Sequence, residues 1–256
     1  MKSMRQKELI KLLKKNLVIN TIEMAERFNV SIETVRRDFD QLEAQGIIRK
    51  IYGGAELRYQ NAETKAAPLE SRRQTLHDVK MVLAKKAASI VPDGAVVALD
   101  AGSTILELSR NLCQHNNLTV ICGDVYSATE LLKNPNNKIF MMGGFLTEYG
   151  TSSGSYVKEF LNSITNIDYF ICSTDGASPD DGLSTDEEAI NELKKRYIKK
   201  ARTNIALIDH AKFGKRGFYK LCNFDDIDLV ITDSGTPKEI INRIRKFGTK
   251  VEVVDV

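Results

Sequence analysis

Two groups of residues in this chain have types and spacings that could do chemistry. The first is cationic. Arg36 and Arg37 stand side by side in "SIETVRRDFDQLEA", and Arg49 and Lys50 follow in "GIIRKIYGGA". The second is "DAGST", residues 100–104, in which a carboxylate, a glycine and two hydroxyls separate an apolar run from a helical pattern. Adjacent guanidinium groups with further cations nearby suit a polyanion such as duplex DNA, where phosphate contacts position a protein and base edges give sequence preference. A glycine and hydroxyls at the start of a helix suit a smaller anion, because the first N–H groups of a helix have no internal partners.

Each group needs elements that present it. Residues 5–15 carry Leu9, Ile10, Leu12 and Leu13 at helical spacing. Asn20 or Thr21 caps a second, short helix with Ile22, Ala25 and Phe28 on its inner face. Asn29 tolerates the left-handed conformation that ends a helix, Val30 plugs the space between helices, and Ser31 caps the next one. That third helix, about Ile32 to Ala44, puts Ile32, Val35, Phe39 and Leu42 on one stripe. At about 100° per residue, Glu33, Arg37, Asp40 and Ala44 fall opposite, with Arg36 on the flank. Gly46 stops the helix, "IIRKIY" favours a strand, Gly53-Gly54 a tight turn, and "AELRY" the returning strand.

Three helices and a hairpin make a winged helix-turn-helix. In that arrangement Ser31, Glu33, Thr34, Arg36 and Arg37 face a major groove, and Arg49, Lys50 and Tyr52 lie along the phosphate backbone. Asp38 is read as structural, orienting Arg37 or pairing with a first-helix lysine. Charges opposite an apolar stripe are by default a solvated face. The full order of cap, Arg-Arg-Asp, glycine stop and hairpin is what points to DNA, and the charge agrees. Residues 1–58 hold 12 Lys/Arg against 8 Asp/Glu, an excess of +4, whereas the remainder holds 25 against 26.

Residues 59–72 lose apolar periodicity and contain Pro68, which marks a linker between a domain of residues 1–58 and one of residues 73–256. After the helix "HDVKMVLAKKAASIV" the rhythm changes. Apolar runs "AVVAL", "LTVI", "KIFMM", "YFIC", "IALI", "LVIT" and "VEVV" alternate with helical stretches, as in a doubly wound, mostly parallel sheet of an α/β domain. Ligands of such sheets bind at the carboxyl ends of the strands. There the chain places "DAGST", "CGD", "GGF", "STDGAS" and "DHAKFGK". Ser184 and Glu187 have the spacing of a capping box for the helix that follows them.

Composition narrows the classes. Cys113, Cys122, Cys172 and Cys222 form no C-x-x-C pair, and His77, His115 and His210 form no ligand-spaced pair. Neither a disulfide framework nor a metal site is expected, and no cofactor. The N-terminus lacks the apolar core of a signal peptide, and no apolar run reaches the ~18 residues of a membrane span. A cytoplasmic protein without membrane contact is expected.

The segment "RQKELIKLL…TIEMAERFNVSIETVRRDFDQLEAQGIIRKIYGGA" resembles the DNA-binding domain of the DeoR family of bacterial sugar-metabolism regulators. Val30, Ser31, Thr34, Val35, Arg36, Arg37 and Asp38 match its V-S-x-x-T-[IV]-R-R-D signature, and Gly46, Arg49, Gly53, Gly54 and Ala55 match most of its closing motif. "DAGST", "MMGG", "SSGSYVKEFL", "STDGAS…DGLSTDEEA" and "LIDHAKFGK" resemble the family's effector domain, related in fold to ribose-5-phosphate isomerase. The resemblance implies a regulator, in the main a repressor, that binds an operator in duplex DNA as a dimer or tetramer and answers to a phosphorylated sugar. It implies a phosphate at Gly102, Ser103 and Thr104 with charge from Lys212, and sugar hydroxyls at Asp100, Asp124 and Asp175. Gly143, Gly144, Gly154 and Gly176 complete the implied site. Asp100 and Asp175 have an alternative structural reading as loop or helix caps.

Two rivals differ in class. An active sugar-phosphate isomerase or deaminase needs a placed acid and base. In the isomerase motif D-G-A-D-E the matching run here is Asp175-Gly176-Ala177-Ser178-Pro179, without the last two acids. The expectation is therefore not an enzyme. An architectural DNA-binding protein without effector control would show no response to any sugar phosphate.

Overall fold

The computed structural model describes residues 2–16, 18–44, 47–51, 53–57, 69–147, 150–153 and 155–256. The chain divides into two compact units, residues 1–66 and 67–256. No described helix is long and apolar enough to cross a membrane.

The first unit runs α1 (Lys2–Asn16), β1 (Val18–Asn20), α2 (Thr21–Phe28), α3 (Ile32–Ala44), β2 (Ile48–Ile51) and β3 (Gly54–Leu57). Asn20 caps α2, its Oδ1 accepting the Ile22 N–H at 2.8 Å. Asn29 ends α2 at φ 50°, ψ 54°, and the Val30 N–H returns to the Ala25 carbonyl, so the two helices meet through the three-residue turn of residues 29–31. Ser31 Oγ accepts the Thr34 N–H at 3.2 Å at the head of α3. With its start fixed at Thr21, α2 turns Thr21, Met24 and Ala25 inward, and Ile22 faces solvent at 56% exposure. Ile22 was expected on the inner face. One residue of phase, about 100°, accounts for the difference.

Leu9, Leu13, Val35, Phe39, Leu42 and Ile48 form the core of this unit. Asp38 is buried among them, and its carboxylate pairs with Arg5 of α1 at 2.5 Å and accepts from Gln6 at 3.2 Å. The expected structural role holds, but the partner is an arginine rather than a lysine or Arg37. The hairpin registers Ile51 opposite Gly54, so Gly54 belongs to β3 rather than to the turn. A Cβ on Gly54 would lie 2.2 Å from the Ile19 carbonyl oxygen. The glycine is needed because β1, a strand not foreseen, pairs antiparallel there and completes the order β1-β3-β2. Gly46 and Tyr52 lie outside the described residues.

In the second unit, α4 (Leu69–Gln74) occupies the end of the expected linker, whose residues 59–68 lie outside the described ones. Then follow α5 (His77–Ala88), β4 (Val96–Leu99), α6 (Ser103–Leu112), β5 (Thr119–Cys122), α7 (Val125–Leu131) and β6 (Lys138–Met141). A hairpin β7 (Phe145–Leu146) and β8 (Ser152–Ser153) precedes α8 (Ser155–Ser163) and β9 (Ile167–Cys172). The chain ends with β10 (Gly176–Ser178), β11 (Gly182–Thr185), α9 (Glu188–Lys200), β12 (Ala201–Leu207), β13 (Tyr219–Cys222), β14 (Leu229–Asp233), α10 (Lys238–Arg245) and β15 (Lys250–Val254).

The seven apolar runs are the seven strands of one sheet, ordered β15-β14-β12-β9-β4-β5-β6. Every pairing in it is parallel. Alternate residues of single strands enter different cores. Val97 and Leu99 pack with α5 and α6 through Leu83, Ile105 and Leu108. Ala98, Phe170 and Val230 pack on the other face with Leu161, Tyr197 and Ile241 of α8, α9 and α10. That is the doubly wound arrangement, and it sends every strand end to one edge.

Two features were not legible. Strands β10, β11 and β13 form a small antiparallel sheet, built from "GAS" and "GLST", which carry no alternation. Ser184 belongs to β11, where its Oγ donates to the Gly176 carbonyl and accepts the Gly217 N–H. The expected Ser184–Glu187 capping box is therefore absent: α9 starts after Glu187 without a side-chain cap bond, since strand pairing claims the serine first.

The Arg5–Asp38 pair gives a stability test. Arg5→Met leaves a buried carboxylate without its counter-ion and is expected to cost about 3 kcal/mol in denaturant unfolding of the first unit. Adding Asp38→Leu should recover most of that loss.

Candidate functional site

The exposed side of α3 follows from its phase. With Val35, Phe39 and Leu42 buried, Glu33, Arg36 and Arg37 are exposed and Thr34 is half-buried. Ser31 and Thr34 are engaged with each other, their hydroxyls 2.9 Å apart, so the two hydroxyls expected at the groove serve first as a cap. Arg36 and Arg37 make no hydrogen bond or ion pair among the described residues. They are the cations this surface leaves unclaimed.

Lys50 differs. Its ammonium pairs with Asp40 at 2.5 Å and Glu43 at 3.6 Å, and its backbone N–H donates to Glu43 at 2.9 Å. The hydrogen bond and charge of Asp40 raise its pKa. The lysine expected on phosphate is thus held against α3 and tethers the hairpin to it. Arg49 stands in β2 opposite Glu56.

At the carboxyl edge of the large sheet, Asp100 follows β4 and is buried. Its Oδ2 accepts from the Ser173 N–H (3.0 Å), the Ser173 hydroxyl (3.2 Å) and the Lys194 ammonium (2.7 Å). Lys194 also donates to the Ser173 carbonyl at 3.1 Å. Burial alone would discharge this lysine, but the charges of Asp100 and Asp175 outweigh it and its pKa is raised. Lys194 and Ser173 were missed in the sequence. Lys194 shares the buried stripe of α9 with Asn191 and Tyr197, a position where an apolar residue is usual, yet it is hidden in the charged run "ELKKRY".

Gly102 heads α6 at φ 119°, a backbone open to glycine. A Cβ there would point at Ser173 Oγ, 3.8 Å away. Ser103 and Thr104 form the first turn and are nearly buried. Asp124 follows β5 and caps α7, its Oδ1 accepting the Ser127 N–H at 2.8 Å. Its Oδ2 is buried with no hydrogen-bond partner among the described residues. Burial raises its pKa, partly offset by the Ser127 bonds, and the charge of Asp100 adds to the rise. The β7–β8 hairpin closes over this end of β5, the Ser152 N–H donating to the Gly123 carbonyl.

Asp175 accepts the Asp186 N–H at 3.1 Å. Asp186 was not singled out in the sequence. Burial, then the charge of Asp175, raises its pKa, against which Phe218 N–H and Lys212 act. Lys212 ends a 3₁₀ turn (His210–Lys212) after β12 and so lies within electrostatic reach of Asp186 and of Lys80. In the same turn His210 Nδ1 is bonded to Asp233 at 2.6 Å.

Asp100, Gly102, Asp124, Asp175 and Lys212 thus gather at one edge. Gly176 plays another part: a Cβ there would meet the Lys215 carbonyl oxygen at 2.4 Å, so its bareness lets a neighbouring backbone cross. Gly143 and Gly144 are exposed after β6, two strands from β4 in the sheet order, and Gly154 lies outside the described residues. Burial pushes the Cys122 and Cys222 thiols up to about 12, so neither is a nucleophile at neutral pH.

A winged helix-turn-helix with free arginines, joined in sequence to a doubly wound unit with polar strand ends, defines a DNA-binding transcriptional regulator with a sensor unit. Residues 5–61 match the DeoR-like helix-turn-helix domain, and residues 75–234 match the DeoR C terminal sensor domain. The chain belongs to the DeoR family. It is 33% identical over 256 residues to the HTH-type transcriptional regulator GolR of Listeria innocua, covering 98% of both chains. It is 31% identical to the L-fucose operon activator of Escherichia coli, covering 91% of this chain and 96% of that one. With the Escherichia coli glycerol-3-phosphate regulon repressor it shares 26% identity, over 97% and 98% of the two chains. Among solved structures, a ribose-5-phosphate isomerase in complex with phospho-erythronic acid aligns at 18% identity and TM-score 0.41, covering 54% of each chain.

Two outcomes test the surface of α3. Arg37→Ala is expected to cost about 1–3 kcal/mol of operator affinity and to relax preference at one base pair. Equal weakening on every sequence would make Arg37 a phosphate clamp. Asp40→Asn releases Lys50 for phosphate, so binding to arbitrary duplex DNA should tighten and the salt slope steepen by about 1. An unchanged slope would mean that Lys50 serves only to hold the wing.

Proposed function

We propose that this regulator represses a carbohydrate-metabolism operon and is released when a phosphorylated sugar binds at the carboxyl ends of β4, β5, β9 and β12. One juxtaposition carries the reading. A small-residue helix start at Gly102–Thr104, suited to an anion, adjoins fixed carboxylates at Asp100, Asp124 and Asp175. A ligand that satisfies both carries a dianion on one part and hydroxyl donors on another, which describes a sugar phosphate. In this reading Lys212 supplies a point charge to the phosphate, Asp124 Oδ2 takes a hydroxyl, and Lys194 holds Asp100 in place. Gly143, Gly144 and Gly154 are assigned to the rim.

Repression is supported by relatives whose names say repressor, as for the glycerol-3-phosphate regulon, AccR of Agrobacterium fabrum and the aga operon of Escherichia coli. One relative is named an activator. A dimer or larger homo-oligomer fits the use of paired half-sites by helix-turn-helix proteins. A binding role without turnover is favoured over isomerisation because Ser178 and Pro179 stand where the isomerase motif has acids. Two of the carboxylates that remain are engaged: Asp100 in its ion pair and Asp175 by the Asp186 N–H.

A panel of pentose and hexose phosphates tests this. One member at ~100 times its dissociation constant should stabilise the protein by about 2.7 kcal/mol and release it from its own promoter region, without being converted. Asp124→Asn separates binding from stability. Burial raises the folded-state pKa of Asp124, so its carboxyl contributes stability at acid pH that is lost as pH rises through that value. The asparagine keeps the cap and removes the buried charge. Its Tm should therefore gain on that of the unsubstituted protein from about pH 4 upward, while its response to the sugar phosphate falls. A variant that loses stability at neutral pH yet keeps the response would remove Asp124 from the site.

A further inference from the structure

The joint between α4 and α5 has features that ligand binding does not use. Helix α4 is the first described element after residues 58–68, which connect the two units along the chain. None of its residues is buried, so apolar burial does not fix it. Instead the Lys80 ammonium, on α5, donates to the carbonyls of Arg72 and Thr75 at the end of α4. Between the helices stands Leu76 at φ 52°, ψ 41°, and it opens α5 without a side-chain cap. A leucine keeps that left-handed conformation only where its surroundings over-determine it. Here they are its own packing against the core under α5 and the lysine strap across the joint.

Lys80 is buried and makes no ion pair among the described residues. Burial lowers its pKa, Asp209 opposes this, Lys212 and then Arg72 lower it further, and Glu107 raises it. Asp209 and Lys212 belong to the turn after β12 that the proposed function gives to the phosphate. Lys80 therefore lies in the electrostatic field of that turn. A second route runs through α6, whose first turn is the Gly102–Thr104 cradle and whose body packs against both α4 and α5.

We propose that the α4–Leu76–α5 elbow is the ligand-responsive joint of the sensor unit, with Lys80 as its latch: an anion beside Lys212 offsets the repulsion that Lys80 feels, the strap tightens, and α4 is fixed against α5 and α6. The inference rests on the anion-site reading above. Lys80 acts here as a positioning residue, through α4 rather than on the ligand.

Amide hydrogen exchange on the full chain, in inorganic phosphate against chloride at equal ionic strength, reads the joint. Phosphate is expected to slow exchange across residues 69–80 about threefold. The slowing should persist in Lys80→Arg and vanish in Lys80→Met, while phosphate still raises the Tm of both variants. If phosphate raises the Tm of the unsubstituted protein and exchange at residues 69–80 does not change, the elbow does not respond and the inference is overturned with the anion site intact. If Lys80→Met slows as the unsubstituted protein does, Lys80 is not the latch. If neither phosphate nor any sugar phosphate raises the Tm, the anion-site reading itself fails. The measurement on the unsubstituted protein depends on no variant folding.

Discussion

A buried ammonium at the edge of a parallel sheet governs how the sensor unit can be built. Seven strands running one way deliver all their carboxyl ends to one side, and the loops that leave there carry Asp100, Asp124 and Asp175, with Asp186, after β11, bonded to Asp175. Four carboxylates near one another in a poorly solvated place repel one another. Lys194 relieves this by pairing with Asp100 and lying within the field of Asp175. Its own desolvation is offset by those same charges, so neither partner is stable there without the other. Ser173 closes the arrangement by giving Asp100 two donors and Lys194 one acceptor. Asp124 Oδ2, after β5, has no hydrogen-bond partner among the described residues.

The first unit solves a similar problem with opposite results for neighbouring residues of one helix. Asp38 turns inward, where Arg5 compensates it, while Arg37, one position earlier, turns outward without a partner among the described residues. A step of about 100° per residue is enough to make one charge a structural element and the next an available cation. The hairpin adds a competing claim on the same surface, since Asp40 and Glu43 of α3 hold Lys50. A phosphate backbone laid along the wing would have to displace these carboxylates. The acids of α3 therefore compete with any anion for Lys50, whereas none of the described residues competes for Arg36 and Arg37.

Legibility in the sequence followed the range of the interactions. The seven strands could be read because each is a short apolar run bounded by polar turns, and the caps at Asn20, Asn29 and Ser31 because each acts within four residues. The sheet β10-β11-β13 and the serine at its centre were opaque, because their residues are small and their order depends on Gly176 and Gly217 meeting backbone far along the chain. Ser184 shows the conflict directly. Its local spacing says cap, and a partner 33 residues away takes it instead. Lys194 was opaque for a related reason: its sequence neighbours are solvated charges, and only the helix phase and the position of β4 make it a counter-ion.

The sequence by itself determined the three helices of the first unit, the seven strands of the parallel sheet, and that Arg36 and Arg37 would be exposed. These depend on periodicity, on glycine and on caps, all of which act within a few residues. Tertiary structure alone decided the partners: Arg5 for Asp38, Asp40 for Lys50, Lys194 for Asp100 and, among the described residues, none for Asp124 Oδ2. A charge takes whichever opposite charge the fold brings within a few ångströms, and that depends on the crossing of helices and the order of strands, which no single stretch of chain encodes.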